Sequence, residues 1–319
     1  MIVVLTGGTG GAKFVDGLRR VISEEDLTIV VNTGDDHLWW GLWVSPDLDS
    51  ITYMLAGILS NERGWGVRGD TFHCLRAMKE LGEPAWFSVG DRDLASHLLR
   101  AQLLAQGKTL SAAAQIIAER FHLRARILPM SDQRVETRID TPLGELSFEE
   151  YFVQRWFQDP VKSVRFAGAE EAEPAPGVME SIGAAQAVLI APSNPVTSIG
   201  PILAVPGIRD ALCKTPAPVV AVSPLIGTAA VSGPAANLMA AQGLEVSISG
   251  IAAAYRDFLD GLVVHESDSA AAQVVAVRNL DTYCTNILLK TLDDRERVAR
   301  AALTLASPEI LSASAAEVQ

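Results

Sequence analysis

A buried strand that runs straight into a glycine-rich turn and a helix limits this chain more than any other feature. Ile2 to Leu5 is an uninterrupted apolar run. Leu5-Thr6-Gly7-Gly8-Thr9-Gly10-Gly11-Ala12-Lys13 overlaps its end, and Phe14 to Val21 reads as a helix. A strand that is apolar at every position belongs in a parallel sheet covered on both faces. The same grammar recurs downstream, where Leu27–Val31, Ala85–Val89, Ala187–Ala191 and Pro218–Val222 read as further buried strands, with a short one at Arg124–Leu128. Helical patterns lie between them. Asp93 can cap a helix that ends at Gly107, Ser111 can start the next, and Ser50 to Leu59 reads as another. Pro201 and Pro234 stand where first helical residues belong, with Gly243 placed to stop the second of these helices. Strand, polar turn, helix, strand is the pattern of an α/β protein with a doubly wound, mostly parallel sheet.

One stretch departs from it. Val135 to Phe166 reads as a hairpin turning at Thr141-Pro142-Leu143-Gly144, followed by an aromatic helix. We therefore expect a single elaborated α/β domain over residues 1–319 with an α/β insertion at about 133–170. The net charge of −12 argues against a broad nucleic-acid or anionic-membrane surface, but not against phosphate ligands, which backbone amides and a few cations can hold. Cys74, Cys213 and Cys284 are too widely spaced for a disulfide framework or a cysteine zinc site. No apolar run reaches the length of a membrane span, so a soluble, cytoplasmic protein is expected.

Gly7, Gly8, Thr9, Gly10, Gly11 and Lys13 form the first candidate site. Glycines there allow close approach of backbone to ligand, and the amides and dipole of the helix start attract an anion. The loop is neither a Walker A motif, which needs Gly-Lys-Ser/Thr, nor a G-x-G-x-x-G dinucleotide fingerprint, which needs glycine where Lys13 stands. Asn32 closes the second strand where that fingerprint expects an acid. Instead, Asp35 and Asp36 follow Asn32, and Asp47 and Asp49 come soon after. Four carboxylates beside a phosphate site call for a cation, and magnesium suits them because it takes one or two carboxylates plus phosphate oxygens. A second loop of the same kind runs from Ala191 to Pro201 and includes Ser193, Asn194, Pro195, Ser198 and Gly200. Gly90-Asp91-Arg92-Asp93 adds a planar guanidinium suited to phosphate or carboxylate. Met130-Ser131-Asp132 and Ser223-Pro224-Leu225-Ile226-Gly227 are further polar turns at strand ends.

In this order, GGTGGAK, VVNTGDD, PDLDS, RGWGVRGDTF, GDRDLASHLLR, LPMSD, APSNPVTSIGPILAVPGIR and VSPLIG with SGPA resemble the 2-phospho-L-lactate transferases of deazaflavin coenzyme F-420 biosynthesis. The resemblance runs from Met1 to about Asp268. It implies a Rossmann-like fold, a homodimer and magnesium dependence. It also implies transfer of a phospho-hydroxyacid (phospholactyl, phosphoenolpyruvyl or phosphoglyceryl) from a guanylylated donor to the ribityl hydroxyl of the deazaflavin precursor FO, releasing GMP. Carried over, the glycine loop and the SNP-x-x-SIGP loop hold the guanylyl diphosphate. Asp49 is the leading contact in the deazaflavin and metal pocket, with Ser88 and Asp91 beside it. Asp47, Asp49 and Arg92 are the catalytic candidates, and Asp35, Asp36, Asp47 and Asp49 the metal candidates. Trp39 and Trp40 are candidates either for stacking on the tricyclic ring or for plain packing. A nucleotide-sugar-binding regulator on the same fold is the alternative; the paired acidic motifs favour the enzyme.

Overall fold

The computed structural model describes residues 1–276 and 280–311. Seven strands of the described residues form one all-parallel sheet: β1 (Ile2–Thr6), β2 (Leu27–Val31), β3 (Arg126–Pro129), β4 (Ala187–Ile190), β5 (Val219–Val222), β6 (Gly261–His265) and β7 (Asp281–Thr285). Their spatial order is 3-2-1-4-5-6-7. The order reverses between β1 and β4, and ligands in such sheets bind in the crevice at that reversal, outside the carboxyl ends of the strands. The glycine loop leaves β1 there and the Ala191–Pro201 loop leaves β4.

Alternation along each strand divides the core in two. Val3 and Leu5 face one layer with Val188 and Ile190, whereas Ile2 and Val4 face the other with Leu189. The second layer contains α1 (Gly8–Leu18), α2 (Pro46–Leu55) and the long helix Leu292–Ala306. Arg295 of that long helix donates to the buried carboxylate of Asp16 in α1 at 2.7 Å. Three more helices follow in sequence before β3: α3 (His73–Glu80), α4 (Asp91–Ala105) and α5 (Leu110–Arg120).

Several expectations are corrected. Ala85–Val89 is not a strand. Trp86, Phe87 and Val89 pack on the small antiparallel hairpin His37–Trp39/Leu42–Val44, and the place beside β2 is filled by β3. Helix α1 starts inside the glycine loop, at Gly8 rather than Phe14. Helix α2 begins at Pro46, four residues before the expected start. Asp93 lies within the first turn of α4, whose cap position is Gly90. Thr109, not Ser111, caps α5 by accepting from the Ala112 amide. Pro234 takes the cap position of Ala235–Ala241 rather than its first turn.

In the insertion, Glu136–Thr141 and Gly144–Ser147 form the expected hairpin, and Ser163–Ala167 adds a third antiparallel strand. The aromatic helix is only a π-helical turn, Glu150–Gln154, because Trp156 and Phe157 adopt positive φ and end it. β6 and β7 were not evident from sequence: β6 carries only three consecutive large apolar residues, and β7, Asp-Thr-Tyr-Cys-Thr, is a polar edge strand.

Candidate active site

The glycines of the first loop are required mainly by crowding. A Cβ on Gly7 would lie 2.6 Å from Asp47 Oδ2 and 2.9 Å from Ser198 Cβ; one on Gly11 would lie 1.8 Å from Thr6 Oγ1 and 3.0 Å from Ser193 Oγ. A Cβ on Gly10 would lie 3.0 Å from the Pro192 carbonyl oxygen. Only Gly8 is also conformationally special, at φ +71°. Bare backbone thus lets three segments meet: the loop after β1, the start of α2 and the loop after β4. Ser193 ties two of them together, donating from Oγ to the Gly7 carbonyl at 2.7 Å.

Asp47 occupies part of the anion site foreseen for a phosphate. Its Oδ1 accepts the Gly8 amide at 2.7 Å, so a carboxylate of the chain itself sits at the start of α1. The amides of Thr9 and Gly10 in the same first turn have no intrahelical acceptor. In the second loop, Asn194 Oδ1 accepts the Val196 amide at 2.9 Å, and its carbonyl accepts those of Ser198 and Ile199 at 3.0 Å. Pro195 is buried there, and Gly200 makes room for Phe166 of the insertion, whose Cζ would lie 2.8 Å from an added Cβ.

Asn32 is the hub that reading the sequence missed. Its Nδ2 donates to Asp35 Oδ2 and to Asp47 Oδ2, each at 2.9 Å, and lies 3.3 Å from the Thr197 carbonyl; its Oδ1 accepts the Gly34 amide at 2.8 Å. A neutral amide can bridge two carboxylates where an acid would add a third charge. Asp36 accepts from Ser45 Oγ at 2.6 Å and from Trp43 Nε1 at 2.9 Å. Glu149, at the end of the insertion hairpin, completes the group and was also missed, because nothing local marks it.

Burial dominates the electrostatics. It raises Asp35 well above the carboxylate range, helped by Asp47 and Glu149. Burial pushes Asp36 up to about 8, against the opposing pull of Ser45 and Arg100, and Asp47 up to about 6. Glu149 rises to about 8 through burial and then the charges of Asp47 and Asp36. Among the described residues no three His, Cys, Asp or Glu side chains form a ready metal cage. Even so, Asp35 Oδ1 and Asp36 Oδ1 are buried without a partner. Two carboxylates joined at Asn32, with acceptor oxygens free nearby, suit a magnesium ion that keeps waters and phosphate oxygens as its other ligands.

Asp49 lies in a different setting. Arg100 of α4 grips it with both terminal nitrogens, Nη1 to Oδ2 at 3.1 Å and Nη2 to Oδ1. His97 Nδ1 is 3.5 Å from Asp49, its Nε2 is 3.4 Å from Asp93, and Tyr53 donates to Asp93 at 2.8 Å. This buried chain joins α2 to α4.

The remaining candidates are placed elsewhere. Thr71 and the amides of Cys74 and His73 bind Asp91 and hold it at about 2. Arg92 donates to the Arg68 carbonyl at 3.2 Å. Ser88 precedes this group, and none of the three hydrogen-bonds to the glycine loop. Lys13 is half-buried without a hydrogen bond among the described residues; burial and the Arg295 charge lower its pKa. Asp132 accepts from the Ser111 amide and hydroxyl, at 2.7 and 2.8 Å, at the start of α5. Trp39 is 6% exposed among Trp86, Trp40 and Phe87, a packing role, while Trp40 donates to the Pro84 carbonyl.

Fold and site together define an α/β protein in which two βα loops meet at the reversal point of a Rossmann-like sheet. The chain belongs to the 2-phospho-L-lactate transferase CofD family, which it matches over residues 2–301, and it is a transferase. It is 43% identical over 311 residues to a phosphoenolpyruvate transferase of Streptomyces coelicolor, covering 96% of this chain and 98% of that protein. It is 42% identical over 292 residues to a 2-phospho-L-lactate transferase of Methanococcoides burtonii, covering 92% and 95%. A crystal structure of a UPF0052-family protein from Bacillus halodurans shares the fold, with TM-score 0.63 at 17% identity over 95% of this chain and 98% of that one. Among the described residues no helix is long and apolar enough to cross a membrane.

Proposed function

We propose that this enzyme transfers a phospho-hydroxyacid from a guanylylated donor to the ribityl hydroxyl of FO, releasing GMP, in the assembly of coenzyme F-420. It does so with magnesium and as a homodimer. The observation that carries this reading is the meeting of the glycine loop and the Ser193–Gly200 loop beside Asp35, Asp36 and Asp47. That arrangement offers backbone donors for a diphosphate and carboxylates for its counter-ion. The relatives named for phosphoenolpyruvate and for 2-phospho-L-lactate support the transfer class, and both three-carbon donors belong in the test.

In the reaction, the FO hydroxyl gives its proton to a carboxylate, Asp47 or Asp49, and its oxygen bonds to the phosphorus bearing the hydroxyacid. The bond from that phosphorus to the bridging oxygen breaks, and GMP departs with the bridging oxygen. Magnesium, when bound, supplies positive charge against the diphosphate. The chain's own part is to position and to exclude water. The Thr9 and Gly10 amides and the Ser193 loop orient the diphosphate. Asp35 and Asp47, bridged by Asn32, are the residues that would hold the cation. Asp49, Arg100 and His97 fix α2 against α4 and so set where Asp47 stands; Arg92, Asp91 and Ser88 border the acceptor side.

The test mixes the protein with FO, magnesium and each of three guanylylated donors, carrying phospholactate, phosphoenolpyruvate or phosphoglycerate. GMP release together with the matching mass gain on the deazaflavin is expected for at least one donor. No GMP with any of them overturns the reading.

A further inference from the structure

We propose that Glu149 is a water-mediated acceptor for a hydrated divalent cation at the sheet rim, so that cation binding fastens the insertion to the rim. This rests on the magnesium reading above. Glu149 lies between the strand Gly144–Ser147 and the turn Glu150–Gln154, in a segment that contributes nothing to the central sheet. The residue is 6% exposed, yet among the described residues no hydrogen bond or ion pair reaches its carboxylate. The side-chain charges that act on it are of its own sign, Asp47 first and then Asp36, and its own charge acts in turn on Asp35. Arg100, a buried cation whose charge acts on Asp36, is already engaged by Asp49 and the Trp43 carbonyl.

Four buried carboxylates from three separate elements therefore act on one another. Among the described residues, Asp35 Oδ1 and Asp36 Oδ1 are fully buried without a partner, and Glu149 has no hydrogen bond either. Burial of uncompensated charge is costly, and a counter-charge other than protein relieves that cost at Glu149. The acids do not close into a cage, which rules against a bare ion clasped by side chains. A magnesium ion dehydrates reluctantly and binds through one or two carboxylates, so its remaining waters are available to a further carboxylate such as Glu149. Because Glu149 belongs to the insertion and Asp35 and Asp47 to the rim, one hydrated ion spans both.

The test titrates magnesium chloride into full-length wild type and Glu149→Gln by calorimetry, and follows amide hydrogen exchange over residues 136–167. Burial raises Glu149 to about 8, so without metal it is largely protonated at neutral pH; the glutamine is isosteric with that neutral acid, and the metal-free variant should melt close to wild type. Its magnesium affinity should fall about ten-fold, the lower end for loss of an outer partner of a metal site. The magnesium-dependent protection of residues 144–154 seen in wild type should disappear. Unchanged affinity with unchanged protection overturns the assignment, and so does a wild-type protein that binds no magnesium. Magnesium-dependent protection in a protein that releases no GMP supports Glu149 and removes only the transfer reading.

Discussion

Asp49→Ala removes both acceptors that hold Arg100, and the consequence follows from where that guanidinium sits. Arg100 is 2% exposed, and its other contacts are the Trp43 carbonyl and His97 Nδ1, each at 3.3 Å. Neither carries a full opposing charge. Removing one partner of a buried ion pair costs about 3–5 kcal/mol, because the other charge is stranded out of water. At about 2 °C per kcal/mol for a chain of this size, the melting temperature should drop on the order of 6–10 °C. Asp49→Ala combined with Arg100→Met removes the stranded cation and fills its volume with an apolar side chain. That double variant should recover most of the loss, since replacing a whole buried pair by apolar groups is often neutral. Thermal unfolding followed by circular dichroism, with turnover measured on the same samples, separates two roles for Asp49. A single variant that melts within about 1 °C of wild type but is inactive would refute the view that Asp49 serves chiefly to join α2 to α4, and would return it to the chemistry.

The acidic site makes stability depend on pH. Burial raises Asp36 and Glu149 to about 8 and Asp47 to about 6, so the folded protein retains protons that the unfolded chain has released. Without magnesium, stability should be greatest near the ordinary carboxylate pKa of about 4 and decline until pH passes about 8. Urea midpoints at pH 5 and pH 8 check the sign, and a midpoint that rises between them contradicts it. Added magnesium should flatten the decline. In the first loop, Gly8→Ala meets no atom within 4 Å and should lose only about 1 kcal/mol, for its left-handed backbone. Gly11→Ala drives a methyl into Thr6 and Ser193 and should be the more damaging of the two in both melting temperature and donor affinity. Equal effects would show that crowding does not set the loop.

Local order was legible because it is written at short range. The apolar runs of β1, β2, β4 and β5, the glycine loop, the turn of the insertion hairpin and the serine-rich loop after β4 announce themselves within a few residues. A parallel sheet then carries their carboxyl ends to one edge. Misread elements had weak or misleading local signals. Ala85–Val89 has a strand's composition but packs aromatic rings on a hairpin, and β7 is a strand with an edge's polarity.

Within the site, sequence could name Asp35, Asp36, Asp47 and the two loops as neighbours of a phosphate, since all follow strand ends. It could not reveal that Asn32 bridges two of those acids, that Arg100 claims Asp49 from fifty-one positions away, or that Glu149 enters from the insertion. Those facts depend on which long-range neighbour occupies the space around each charge. Residue types and their periodicity determine that a sheet with a polar rim forms; only packing in three dimensions decides which carboxylate is neutralised by the protein and which is left for a ligand.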